Sequence, residues 1–235
     1  MTPLRPLAFR AGVAVALAVF RTRHRLRRRF RPGRYIDADP FSLRWIDPAS
    51  IEDEVLPDRP ERPPWGRVEA GRWDSEARPF EDRPVVRALT ARFDGGRAWE
   101  ETCLREHFVD QIDRFGEAWS HESGDGFERR CAAIDALYES MAGEGYLTQR
   151  TLARRGDGDA VPVLNEITVD VGRDGAFLWR GQGQHRLALS RLLGIEHVPV
   201  LVARRHRDWQ AEREEARAGG GVGRTHPDLT DLVVD

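Results

Sequence analysis

Residues 180–186 read Arg-Gly-Gln-Gly-Gln-His-Arg and run straight into an apolar stretch at helical spacing. Glycines at 181 and 183 allow the backbone to turn tightly and a ligand to come close to it. A helix that begins here offers first-turn amides with no acceptor inside the helix. The positive end of its dipole favours an anion at the same place. Arg186 adds a planar guanidinium fork suited to phosphate oxygens. His185 adds a donor that protonation would strengthen, and Gln184 a neutral amide. Gly181, Gly183, Gln184, His185 and Arg186 therefore outline a phosphate site. The plainer alternative is a glycine turn in which Arg186 pairs with Asp174 or Glu166.

The elements that must position these residues follow from composition. Ile-Thr-Val-Asp-Val at 167–171 is strand-like, Gly-Arg-Asp-Gly at 172–175 is a turn, and Ala-Phe-Leu-Trp at 176–179 returns. The spacing predicts a short helix over 185–193 closed by Gly194, a strand over 197–205, and a polar helix starting at His206. Upstream, apolar residues from Trp99 to Trp119 and from Phe127 to Met141 recur at helical spacing, with Gly145 as a stop. Trp65, Val68 and Trp73 suit a short strand or tight aromatic loop, and the tryptophans suit core packing. The segments 31–41 and 55–66 are proline-rich and acidic and read as irregular coil.

The stretch Gly183–Val202 (GQHRLALSRLLGIEHVPVLV) resembles the ParB/sulfiredoxin superfamily, in which a glycine loop ending in His-Arg opens a helix and a Val-Pro-Val strand follows. The resemblance is close over about 165–205 and implies an α/β (α+β) fold: a small ParB/sulfiredoxin-like sheet with helices. With composition, it sets out a basic and apolar segment (1–34), a tryptophan-rich, partly helical region (35–126), the ParB-like domain (127–217) and a flexible tail (218–235). It also implies a nucleotide ligand, CTP, ATP or ADP; phosphotransfer from it would in addition need Mg2+. Sulfiredoxin chemistry needs a cysteine before His-Arg, and Gln184 stands there. A partition protein needs a second phosphate motif and a DNA-binding domain, and only 29 residues follow His206. A related kinase activity would use a carboxylate base, for which Glu166 and Asp170 are the candidates; Asp170 could equally belong to the hairpin. Nuclease chemistry on Glu166, Asp170 and Asp174 is disfavoured because strand alternation separates them. Arg173, Asp174 and His206 are possible accessory residues. No histidine spacing suggests a metal site.

Composition bounds the partners. All 37 basic residues are arginine. Residues 1–34 hold ten of them and no acid, whereas the rest of the chain holds 27 against 39 acids. The acidic body argues against indiscriminate nucleic-acid wrapping. The apolar run 11–20 is about half of what spans a bilayer, and most of its charge follows it, unlike a signal peptide. Residues 10–34 thus suit a helix on an anionic membrane surface, a basic arm for nucleic acid, or a segment docked on the acidic body. Two cysteines, Cys103 and Cys131, indicate a reducing compartment, so the expected location is cytoplasmic, peripheral at the membrane if the first reading holds.

Overall fold

The computed structural model describes residues 4–55, 63–118, 126–156, 162–219 and 225–232. It is a mixed α/β fold. Helix α1 (Leu4–Phe30) precedes four short strands, β1 (Leu43–Ile46), β2 (Asp53–Glu54), β3 (Arg67–Glu69) and β4 (Arg78–Pro79). Helices α2 (Pro84–Phe93), α3 (Leu104–Phe115), α4 (Gly126–Glu144) and α5 (Gln149–Arg155) follow. Then come β5 (Ile167–Val171), β6 (Phe177–Trp179), α6 (Gln184–Leu192), β7 (Val198–His206) and α7 (Arg207–Arg217), with a last 3-10 turn at Pro227–Leu232.

The sheet runs β1-β7-β5-β6-β2-β4. β7 is its axis, because its nine residues are all buried. On one edge it lies parallel to β5. Its other edge is shared: β1 pairs antiparallel with 198–201 and β3 pairs parallel with 204–206. Val-rich strands buried on both faces suit this central position. Ile167, Val169 and Val171 of β5 join Val198, Val200 and Val202 of β7 in the core. Over them lie Leu187, Ala188 and Leu189 of α6, with Val85, Ala88 and Leu89 of α2 and Ile134 and Met141 of α4. The β5–β6 turn closes through Gly172 N–H to Ala176 O at 2.9 Å. Asp174 supports it by accepting from Ala176 N–H at 3.0 Å.

Several expectations are revised. The helix expected over Trp99–Trp119 is Leu104–Phe115; Trp99 sits in a 3-10 turn before it, and Trp119 lies outside the described residues. The regions set out as 35–126 and 127–217 are joined through their strands. β1 and β3 complete the edge of β7 and β2 extends β6, so the two regions share one sheet.

The tail expected to be flexible from 218 is docked over 225–232. Asp228 and Leu229 are buried there. Asp228 accepts from Arg205 at 2.7 and 2.6 Å and from Trp209 Nε1 at 2.9 Å. Asp37 and Asp231 complete a buried ion cluster with Arg44, Arg205 and Arg213. Buried guanidinium groups require such partners, and that need holds the last turn in place. Residues 220–224 of the glycine link lie outside the described residues.

Candidate functional site

The glycine loop lies where β6 passes into α6, beside the start of β5. Thr168 O accepts from Arg180 N–H at 2.8 Å, and Gln182 O accepts from the Trp179 indole at 2.7 Å. The two glycines differ. Gly183 is the N-cap of α6 at φ +79°, and a Cβ there would lie 2.7 Å from Ile167 Cγ1. Gly181 has φ +82°, and a Cβ there would meet nothing within 4 Å. Gly183 thus serves close packing of α6 on β5, whereas Gly181 borders open space.

Leu187 N–H makes the first helical bond of α6, to Gly183 O at 2.9 Å. The amides of Gln184, His185 and Arg186 precede it and have no acceptor within the helix, and no side chain caps this end. Three guanidinium groups converge on it. Arg83, the residue before α2, donates to Gln184 Oε1 at 3.0 and 3.2 Å, pairs with Glu54, and lies 4.5 Å over the Trp179 ring. Arg130 of α4 has Nη2 at 3.0 and 3.1 Å from the two ring nitrogens of His185, one of which accepts. Arg186 donates to Tyr146 Oη at 2.8 Å and to Asn165 O, with Glu166 Oε2 at 3.4 Å.

His185 is buried. Burial, then Arg130, Arg186 and Arg83, push its pKa down to about 3. The expectation that protonation would strengthen it is therefore corrected: the ring is neutral at physiological pH, and the site's positive charge is carried by arginine.

The other predicted residues fall elsewhere. Glu166 lies beside the loop, where it anchors neighbouring elements. It accepts from Gln149 N–H at 2.7 Å, at the start of α5, and from Tyr146 Oη at 3.1 Å. Burial raises its pKa, while these donors and Arg186 oppose that rise. The pairing of Arg186 with Glu166 is present and that with Asp174 is not. Asp170 is wholly buried, with Oδ2 held by Arg180 at 2.9 Å and Arg204 at 2.7 Å. Arg173 and Asp174 occupy the β5–β6 turn, at the opposite end of that hairpin from the glycine loop. Arg173 there binds Asp74 at 2.7 and 2.8 Å. His206 is the N-cap of α7, accepting from Asp208 N–H at 3.2 Å and facing Gly71 O at 3.1 Å.

Sequence reasoning missed Arg83, Arg130 and Tyr146. Arg130 reaches His185 across 55 residues and Arg83 reaches Gln184 across 101, and no local pattern links such positions. Of the two cysteines, Cys103 donates to Pro84 O at 3.3 Å and Cys131 is buried, its thiol pushed up to about 12 by that burial. Neither stands on the loop.

Among the described residues, no group of three or more His, Cys, Asp or Glu is arranged to hold a metal ion, and no helix is long and apolar enough to cross a membrane. Comparison with protein families, curated proteins and solved structures finds no match to this chain.

Proposed function

We propose that this protein binds a phosphate-bearing small molecule, a nucleotide such as CTP, ATP or ADP, at the N-terminus of α6. The observation that carries the reading is the convergence of Arg83, Arg130 and Arg186 on a helix end whose first amides lack helical acceptors. Amides and guanidinium groups are the donors that phosphate oxygens take. The open space at Gly181 gives the ligand an approach. The order β5, turn, β6, glycine loop, α6, β7 also supports a ParB/sulfiredoxin-like arrangement.

The carboxylates nearest the loop, Glu54 and Glu166, already hold Arg83 and Arg186. The donor set therefore suits the phosphate itself, and a Mg2+ ion would come with the nucleotide, held chiefly by its phosphates. Glu166 serves this reading as the group that orients Arg186, so the reading is binding and not phosphoryl transfer. A cytoplasmic location goes with it, since both cysteines are free thiols.

The test is thermal unfolding with inorganic phosphate, ADP, ATP and CTP, with and without Mg2+, on the wild type and on Arg130→Gln and Arg83→Gln. A ligand at a hundred times its Kd stabilises by about 2.7 kcal/mol, or roughly 5–10 °C for a chain of this size. The shift is expected in the wild type and is lost or sharply reduced in both variants. A wild type that no phosphate compound shifts overturns the reading.

A further inference from the structure

The N-terminal helix carries two faces. Towards the body, His24 is buried, faces Ile36 O at 3.1 Å and stacks on Phe20, which packs on Phe41. Arg21 bonds Asp39 at 2.7 Å and Arg28 bonds Asp37 O at 3.0 Å from the same side. The outward face is apolar: Val15, Val19, Leu26 and Phe30 are 62%, 51%, 53% and 78% exposed. At 3.6 residues per turn these four fall within about 60° of one another, opposite His24.

Exposed arginines border this stripe, Arg23 and Arg27 on one side and Arg25 and Arg29 on the other. Among the described residues none of the four forms an ion pair. A cleft opens along each border. One, of about 740 Å3, is lined by Leu26 with Arg25 and Arg29; the other, of about 570 Å3, by Val19 with Arg23 and Arg27.

We infer that α1 is a membrane-surface device: it lies along an anionic phospholipid bilayer with Val15, Val19, Leu26 and Phe30 in the acyl boundary and the flanking arginines on headgroup phosphates. Both halves of the pattern are needed for this choice. An apolar stripe on a helix, edged by cations, is what an interfacial helix presents to anionic lipid. A nucleic acid would use the arginines and leave the stripe exposed to water. A second copy would cover the stripe but set its own arginines against these, since residues 1–34 contain no acid. The inference is independent of the phosphate reading of the α6 loop.

The test is flotation of the full chain with vesicles of phosphatidylcholine mixed with phosphatidylglycerol, and with vesicles of phosphatidylcholine alone. Binding to the mixed vesicles, weakened by salt, and none to the neutral ones is expected. Replacing Arg23, Arg25, Arg27 and Arg29 together by Gln should weaken partitioning on the order of a thousandfold, at about fivefold for each basic residue near the surface. The pair Val19→Asp and Leu26→Asp should also release the protein. Its thermal midpoint should match the wild type, because both side chains are already exposed. Equal flotation with neutral vesicles, or none with anionic ones, overturns the inference. So does binding that survives both variants. A wild type that stays off vesicles but dimerises through Val19 and Leu26, or binds duplex DNA through the four arginines, overturns it in favour of that partner.

Discussion

Gly181 and Gly183 stand two positions apart and share a left-handed backbone, yet only Gly183 has a neighbour that a side chain would strike. For Gly183→Ala, backbone strain and the clash with Ile167 add, so a loss of roughly 2–4 kcal/mol is expected. Gly181→Ala meets only the backbone term, about 1–2 kcal/mol. Urea unfolding of the two variants measures the difference, and equal losses would remove the distinction between a packing glycine and an access glycine. His185 gives a prediction in pH. Its folded pKa, about 3, lies below the ordinary 6.5. The unfolded chain therefore binds the proton that the folded chain refuses, and stability falls as pH drops from about 6.5 towards 3. The wild type should show this slope in denaturation across that window, and His185→Gln should lose that share of it. The glycines, His185 and Arg186 were legible as a loop opening a helix, because residue type and order carry that information. That His185 is neutral was not, because its burial comes from elements far away in the chain.

Among the elements, β7 and α7 carry three buried arginines: Arg204, Arg205 and Arg213. Each is answered by an acid from another element. Asp170 and Glu69 meet Arg204, while Asp37, Asp228 and Asp231 meet Arg205 and Arg213. Burial alone would push Asp228 up, but Arg205, Arg213 and Trp209 hold its pKa below the ordinary carboxylate value. Stability from this acid is thus present above about pH 4 and is lost as the solution is acidified through its folded pKa. Asp228→Asn leaves buried guanidinium charge uncompensated and should cost about 3–5 kcal/mol at neutral pH. Calorimetry at pH 7 checks it, and a loss below 1 kcal/mol would mean that the docked turn contributes nothing. The strand at 198–206 and the helix after it were readable from valine content and polar periodicity. The docking of Pro227–Leu232 was not, since a short run after five residues rich in glycine has no periodicity, and its anchor is charge pairing at long range.

Across the whole molecule the sheet is assembled from both ends of the chain. β5, β6 and β7 were legible because each is a run of apolar or β-branched residues bounded by turn sequences. β1, β2, β3 and β4 are two to four residues long, and β4 contains a proline. Runs so short give no alternation to read; they become strands only because β7, β6 and β2 offer them edges. Residues 165–205 therefore form the middle of a fold whose borders are written elsewhere in the chain. This has a direct consequence for the fragment 127–217. Without β1 and β3, one edge of the nine-residue strand β7 is bare along 198–201 and 204–206. Without α2, the apolar face of α6 loses Val85, Ala88 and Leu89, and the charges of Arg205 and Arg213 lose Asp37 and Asp228. An exposed hydrophobic edge strand templates association, and uncompensated buried charge destabilises the native form. The full chain should melt in one cooperative transition, whereas fragment 127–217 should give no such transition and should associate in solution. Calorimetry and sedimentation of the two distinguish the cases. A fragment that melts cooperatively as a monomer would place a domain boundary at 126/127 and make the N-terminal strands an addition to a self-sufficient domain.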